Sequence, residues 1–382
     1  MEIKNEIQHK MLVDKVVAQS YSLLSTFYYL IILILLSITI GSCYSIESDC
    51  EIPIDPGTLP EDCFWELIPG SPTDIYRMAC DANGNLWATT YNGDVHLYNG
   101  NSWQKRGSVG RVVHAIAVAP NGNIYIVGEL SLYISTNGGT SWNTIFNINK
   151  KIEKDELAEI VISHSGEVYF AIPNNIYVPD GNSWRRIDAN WLYMTVSCPI
   201  ALAPNGTLYT VEKVSSYAYY IIRSTDAGNS WLRSTTFFNE TDATFTLNRL
   251  TVVDNNTMFA AAGLNGILKS TDGGQSWAQC DSTIFERAIR AWDIIYNPIT
   301  GMLFADIDHY DRWFCNAVIS TDLGKTWDVR NDDFGRELGL GPYCSTFNPI
   351  TGDTYLRVVS NSYAPYWEDW VGRVYRHVQQ HP

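Results

Sequence analysis

The chain has 382 residues, a formal net charge of −15 and only 18% charged residues. This acidic balance argues against nucleic acid or an anionic membrane surface as a partner, because both require a basic patch. With 13 Trp, 23 Tyr and 27 Gly, and apolar residues recurring throughout, the composition indicates a β-rich globular protein and excludes disorder over most of the length.

The N-terminus has the pattern of a targeting segment. Residues 27–40 are apolar and uncharged, three lysines precede them, and no Lys or Arg follows until Arg77. This asymmetry predicts that residues 1–42 form a signal peptide or a signal anchor and that the following chain is exported.

The apolar segment ends in Ile40-Gly-Ser-Cys43. This motif resembles a bacterial lipobox, which implies lipidation of Cys43 and makes residues 43–62 a tether to the cell envelope. An uncleaved single-pass signal anchor and a cleaved secretory peptide are the alternatives. In all three cases the chain beyond residue 43 lies outside the cytoplasm.

Residues 63–382 repeat one unit. Seven segments share an apolar strand, a tight turn and a second strand that reaches an aromatic residue. These aromatic residues are Trp87, Tyr125, Tyr169, Tyr209, Phe259, Phe304 and Tyr355. Asn-Gly between apolar runs is a strong hairpin signal. The aromatic residues recur 38 to 51 residues apart, which is the length of a four-stranded propeller blade.

A second motif, S-x-D-x-G-x-[ST]-W, follows several hairpins. It is complete in residues 224–231, 270–277 and 320–327, and residues 135–142 differ by one asparagine. The pattern resembles the Asp-box (BNR) repeats of the sialidase-like and sortilin-like propellers. That resemblance implies structural turns on the face away from the ligand site. The structural residues are then Asn137, Asp226, Asp272, Asp322, Trp142, Trp231, Trp277 and Trp327.

The blade count follows from the outer strands. Six hairpins are followed by an outer strand that begins near a tryptophan, whereas the seventh unit ends in residues 372–378. Residues 64–68, before the first hairpin, have the character of an outer strand, and pairing them with residues 372–378 would close the ring. We therefore predict an all-β, seven-bladed propeller of four-stranded antiparallel blades, closed by the N-terminal strand. Six blades are the alternative.

The predicted ligand site lies on the face opposite the Asp-boxes, in blades six and seven. Two segments read there as long loops, residues 306–314 and 360–370, and both are rich in aromatic and charged residues. Such side chains suit a sugar ring or a peptide. The ligand-binding candidates are Trp292, Arg312, Trp313, Tyr363, Tyr366, Trp367 and Trp370.

Two kinds of catalysis are conceivable in the same sector. Glycoside hydrolysis needs two carboxylates, and a lyase that acts on a uronic-acid polymer needs a base, an acid and a cation for the carboxylate. The candidates are Asp308, Asp311 and Glu368 for a hydrolase, and His309, Tyr310 and Arg290 for a lyase. Sialidase activity is disfavoured, because the nearest match to the sialidase Arg-Ile-Pro motif is Ala171-Ile-Pro173, which lacks the arginine.

The sequence thus predicts recognition of a glycan or an extracytoplasmic protein, with the membrane reached through the N-terminus alone. A carbohydrate-active enzyme is the first alternative, and an assembly factor for an envelope complex is the second. No cofactor and no metal site are predicted: Asp306, Asp308 and Asp311 offer oxygen ligands but lack the glycine and terminal glutamate of an EF-hand.

Overall fold

Each repeated hairpin of the sequence supplies the first two strands of a four-stranded antiparallel sheet. The computed structural model describes residues 65–153, 156–187, 198–215, 218–239, 247–280, 289–309, 312–329, 338–360 and 371–377. Strands are numbered in chain order, beginning with β1 (Trp65–Leu67).

The first four blades follow β1 in order. Blade 1 contains β2 (Ile75–Cys80), β3 (Leu86–Thr90), β4 (Asp94–Tyr98) and β5 (Trp103–Ser108). Blade 2 contains β6 (Val113–Val118), β7 (Ile124–Gly128), β8 (Ser131–Ser135) and β9 (Asn143–Asn147). Blade 3 contains β10 (Glu159–Ile162), β11 (Val168–Ile172), β12 (Asn175–Asp180) and β13 (Ser183–Ile187). Blade 4 contains β14 (Ala201–Leu202), β15 (Leu208–Ser215), β16 (Ala218–Ser224), β17 (Leu232–Arg233) and the additional β18 (Phe238–Asn239), which pairs with β16.

The last three blades complete the ring. Blade 5 contains β19 (Arg249–Val252), β20 (Met258–Ala261), β21 (Ile267–Ser270) and β22 (Ala278–Gln279). Blade 6 contains β23 (Ile289–Asn297), β24 (Met302–His309), β25 (Arg312–Ser320) and β26 (Asp328–Val329). Blade 7 contains β27 (Leu338–Phe347), β28 (Thr354–Ser360), β29 (Val371–His377) and, as its outer strand, β1.

The N-terminal strand closes the ring. β1 pairs antiparallel with β29, with Trp65 opposite His377 and Leu67 opposite Tyr375. The Trp65 side chain is buried, and its ring lies 5.9 Å from that of Phe304 in blade 6. The prediction of seven blades with N-terminal closure is confirmed, and the six-bladed alternative is wrong, because the C-terminal hairpin obtains its outer strand from the start of the domain.

The seven innermost strands surround a central channel. β2, β6, β10, β14, β19, β23 and β27 contact each other in cyclic order, and β27 returns to β2. Antiparallel alternation places the turns between first and second strands, and those between third and fourth strands, on one face, which we call the lower face. The turns between second and third strands and the connections between blades lie on the opposite, upper face.

The four turns with the S-x-[DN]-x-G pattern share one hydrogen-bond arrangement on the lower face. In blade 4, Asp226 accepts hydrogen bonds from the Ser224 hydroxyl at 2.7 Å and from the Ser230 backbone N–H at 2.8 Å. Gly228 N–H donates to Ser224 Oγ at 2.8 Å. Bonds from Ser230 lower the pKa of Asp226 to about 2. The same turn-forming contacts recur at Asn137, Asp272 and Asp322.

The glycine of each of these turns packs against the preceding blade. Gly228 has a φ of +82°, and a Cβ there would lie 2.9 Å from Ile187 Cδ1 of blade 3. The equivalent glycines meet Trp87, Tyr209 and Phe259 of their preceding blades; they are Gly139, Gly274 and Gly324. The turns therefore join neighbouring blades, and only glycine combines the left-handed conformation with so close an approach.

Residues 306–314 of blade 6, which the sequence predicted to be a long loop, are mostly in β-strands. β24 extends to His309 and β25 begins at Arg312, so Asp308, His309, Arg312 and Trp313 belong to a long hairpin. Aspartate is uncommon in strands, which made residues 306–314 read as irregular. The apolar residues on either side of Asp306 decide the outcome, since Ala305 and Ile307 are buried in the blade core.

The part of the chain described here contains no helix long and apolar enough to span a membrane. The predicted signal segment, Cys43 and the tether lie outside the described residues.

We predict opposite effects for two neighbouring substitutions in the blade 4 turn. Ala227 is exposed and has a φ of +53°, so A227G should stabilise the fold by about 0.5–1 kcal/mol by removing left-handed strain. G228A should destabilise it by about 3 kcal/mol, because strain adds to the clash with Ile187. Urea midpoints measured by tryptophan fluorescence test both.

The matched control is G206A. Gly206 also has a positive φ, +85°, but a Cβ there has no neighbour within 4 Å. G206A should lower the free energy of unfolding by about 1 kcal/mol, from backbone strain alone. Equal losses for G206A and G228A would contradict the proposed contact between blades.

Candidate functional site

One position of the repeat brings charged residues to the channel. In each blade one equivalent residue lies four positions before the start of the first lower turn. In blades 1 to 7 these residues are Arg77, Ala115, Glu159, Pro199, Arg249, Asp293 and Cys344. We call these seven residues the channel tier. Because the innermost strands form a closed ring, equivalent positions lie at one level around the axis, and four of the seven are charged.

An ion-pair network joins blades 3, 5 and 6 in this tier. Arg249 Nε lies 3.1 Å from Glu159 Oε1 and 3.8 Å from Asp293 Oδ1. The two carboxylates are largely buried, with 13% and 8% of their side-chain surface exposed. Burial raises the pKa of Glu159 although Arg249 opposes this. Burial lowers and the two carboxylates raise the pKa of Arg249; the carboxylates prevail, so it stays protonated.

Further hydrogen bonds between inner strands involve blades 1, 4 and 7. Glu159 Oε2 accepts the Ile200 N–H of blade 4 at 3.0 Å, and Ser345 of blade 7 donates to Asp293 Oδ2 at 2.7 Å. The Met78 N–H of blade 1 donates to the Cys344 thiol of blade 7 at 3.2 Å. The tier is thus a polar belt that ties the inner strands together.

Arg77 differs from Arg249, because its bonds go to neutral acceptors. Its Nε donates to His114 O at 2.8 Å and its Nη1 to Tyr76 O at 2.9 Å. Its guanidinium carbon lies 4.1 Å from the Tyr76 ring centre, and that of Arg357 lies 5.8 Å from the same ring. Among the residues with described positions, no carboxylate forms an ion pair with Arg77, although its charge also lowers the pKa of Glu159.

A recurring β-bulge inserts an extra residue near the upper end of four inner strands. The register shifts just above the tier in blades 1, 2, 6 and 7, which are consecutive around the ring. The extra residue is Tyr76 in blade 1, His114 in blade 2 and Trp292 in blade 6. Bulges commonly re-aim side chains beside functional sites. We call the upper ends of these four inner strands the bulged sector.

His114 closes one edge of the bulged sector as a buried neutral imidazole. Its Nδ1 contacts Glu156 O at 2.9 Å, which makes Nδ1 the protonated nitrogen, since a carbonyl can only accept. The ring is 0% exposed, and burial lowers its pKa to about 4.

A small cavity lies below the sector between blades 6 and 7. It has a volume of about 10 Å³ and is lined by Asp293, Asp306, Ser345 and Trp65, among others. Asp306 is buried and stands opposite Asp293 in the strand register. The closing strand β1 therefore contacts the same cavity as a residue of the channel tier.

The structure places some of the predicted site residues in this sector. Arg290 and Trp292 lie half-buried on β23, close to Asp293 of the tier, and the backbone of Arg290 pairs with that of Asp308. His309 pairs with Arg312 across the hairpin that also contains Trp313. Other candidates lie outside the described residues; they are Tyr310, Asp311, Tyr363, Tyr366, Trp367, Glu368 and Trp370.

Arg77, Glu159, Arg249 and Asp293 were not among the predicted site residues. The predicted site lay in long connections, whereas these four residues lie in the innermost strands β2, β10, β19 and β23. The sequence does contain a signal for them. When the seven hairpins are aligned on their turns, all four residues occupy the same position of the repeat.

Comparison with known proteins supports the architecture. The family model for the two component regulator propeller matches residues 69–92, which contain the first hairpin. A comparison with the sequences of characterised proteins finds no match. All three solved structures described below are at most 16% identical to this chain, so they establish the fold alone.

Three solved propellers illustrate the range of similar structures. YCF48 bound to D1 peptide has a TM-score of 0.57 and 16% identity, over 82% of this chain and 94% of that chain. A GH74 xyloglucanase from Xanthomonas campestris has a TM-score of 0.62 and 13% identity, over 78% of this chain and 53% of that one. Virginiamycin B lyase from Staphylococcus aureus has a TM-score of 0.55 and 12% identity, over 82% and 98%.

We predict that His114 makes the fold acid-sensitive. Its pKa is near 6.5 when unfolded and about 4 when folded, so the unfolded state binds the proton first as pH falls. Its contribution to stability should fall by roughly 2 kcal/mol between pH 7 and pH 4.5. Asn can also donate to Glu156 O, so H114N should lose less stability over this range, as measured by urea titrations at both pH values.

His164, exposed in a lower turn of blade 3, provides the control. H164N should follow the wild-type pH dependence. If H114N and the wild type lost stability in parallel, the buried neutral imidazole would not be the acid-sensitive group.

Proposed function

We propose that this protein is an exported, membrane-tethered propeller that recognises a protein segment or a glycan at the upper mouth of its channel. The observation that carries the proposal is the cluster of Tyr76 and Arg77 in the bulged sector. There a guanidinium is fixed by two carbonyl oxygens and stacked on an aromatic ring. Fixed cations and aromatic faces bind polar ligands at low entropic cost.

The electrostatics of the channel tier favour binding over catalysis. Glu159 and Asp293 share Arg249 as their counter-ion. Carboxylates engaged in this way are poorly placed to exchange protons with a substrate. Arg77 has no such partner in the described part of the chain, so a ligand can complete its coordination.

Two further observations support the wider proposal. The four shared turns of blades 2, 4, 5 and 6 have the hydrogen bonds expected of Asp-boxes, which favours the BNR-type propellers as relatives. The solved structure of YCF48 contains a D1 peptide, which favours a protein segment as the ligand. Export and lipid attachment through Cys43 rest on the sequence of residues 27–43.

We predict that binding depends on the bulged sector. The full chain, screened against peptide and glycan arrays, should retain a ligand whose affinity falls about ten- to a hundred-fold in R77M and in Y76A. W292A should weaken the same ligand. K105A, which removes a cation from the outer strand of blade 1, should bind like the wild type. Equal binding by R77M and wild type would contradict the proposal.

Carbohydrate hydrolysis is the second candidate, and one observation favours it. Glu159 and Asp293 both lie within 4 Å of Arg249 Nε, and the pKa of Glu159 is raised by burial. Two nearby carboxylates, one of them with a pKa raised by burial, are the apparatus of glycosidases. A GH74 xyloglucanase is among the similar structures.

The hydrolase alternative makes its own prediction. If it holds, the full chain should release reducing sugar from xyloglucan or a related polysaccharide. E159Q and D293N should each lower the rate at least about a hundred-fold, whereas K105A should not. Absence of turnover together with array binding would leave recognition as the function.

A further inference from the structure

The long N-terminal part of the chain joins the propeller at the lower face. β28 rises from a lower turn, β29 descends, and β1 pairs antiparallel with β29. Trp65 lies opposite His377, the lower end of β29. Residues 1–64 therefore connect to the lower rim of blade 7, on the side away from the bulged sector.

The lower turns of blades 6 and 7 differ from those of the other blades. Both read Asn-Pro-Ile-Thr-Gly and are closed by Gly301 N–H to Asn297 O and by Gly352 N–H to Asn348 O, each at 2.9 Å. The turn of blade 4, in contrast, closes one residue sooner, from Gly206 to Ala203. The extra residue leaves an isoleucine exposed near each tip.

These isoleucines lie in two adjoining turns. Ile299 is 53% exposed and Ile350 is 63% exposed, the largest value among the big apolar side chains in the described ranges. Asn297 of the first turn donates to Gly352 O of the second at 2.8 Å. Ile299 Cγ2 lies 2.9 Å from where a Cβ on Gly352 would be. Single exposed isoleucines are ordinary, but two on adjoining rigid turns form a local apolar platform.

We propose that this platform, Ile299 and Ile350, rests on the lipid surface to which the chain is tethered, so that the lower face meets the membrane and the bulged sector faces away. The inference rests on the membrane tether of the proposed function. The chain enters the propeller through β1 at the lower rim of blade 7, the blade whose lower turn contains Ile350. The platform carries no charge, so its insertion into the interface requires no burial of an ion.

The charges of the lower face indicate which kind of lipid surface it would contact. Asp226, Asp272 and Asp322 stand in other turns of the lower face, and hydrogen bonds within those turns lower their pKa values. They remain ionised at neutral pH and repel an anionic surface. A zwitterionic surface is therefore the preferred one.

The test uses the full chain reconstituted with phosphatidylcholine vesicles. Ile350, Ile299 or Leu130 is replaced by the photo-crosslinking residue p-benzoylphenylalanine. Leu130 is 40% exposed in an upper turn and serves as the matched control. Flotation reports the tether, and mass spectrometry reports covalent lipid adducts. We expect adducts at positions 350 and 299 to exceed those at 130 by at least about ten-fold.

The outcomes separate the two proposals. Flotation with adducts at 350 and 299, reduced when phosphatidylglycerol is added, supports the lower face as the membrane contact. Flotation with equal adducts at all positions, or more at 130, overturns it and leaves the tether standing. Crosslinks from 350 to a second copy of the chain overturn lipid as the occupant. A chain that does not float overturns the tether itself and, with it, this orientation.

Discussion

The close contact between four of the lower turns and the preceding blade is the constraint on which the ring depends. A blade buries its faces only against its neighbours, so the joints decide whether seven sheets become one domain. In the turns of blades 2, 4, 5 and 6, a left-handed glycine approaches the core of the preceding blade, as Gly274 does at Tyr209. The aspartate or asparagine at these turns accepts the hydrogen bonds that shape the chain so that the glycine can fit.

Closure imposes a second requirement, because a ring has no free ends. Blade 7 obtains its outer strand from residues 65–67, and Trp65 packs against Phe304 of blade 6. The same tryptophan lines the cavity that contains Asp293 of the channel tier. The strand that completes the fold therefore also supports the wall of the candidate site, so closure and site integrity are linked.

The sequence predicts those parts of the structure that local chemistry determines. Asn121-Gly122 specifies a hairpin by itself, and the number of blades can be inferred from the recurring tryptophans. The pairing of Glu159 with Arg249 could not be predicted in this way, because it joins blades 3 and 5 and depends on the geometry of the closed ring. Nor does anything in Ile75-Tyr76-Arg77 announce a bulge. The prediction of a loop at residues 306–314 was wrong at Asp306, because its burial is decided by the apolar residues on either side.

The two faces divide structure from function for a topological reason. The lower face holds the turns between third and fourth strands, and four of these turns form joints such as that between Gly228 and Ile187. The upper ends of the inner strands do not form these joints. Bulges there can change the direction of Tyr76 and Trp292 without breaking the contact between blades. A ligand site can diverge on that face while the ring stays closed.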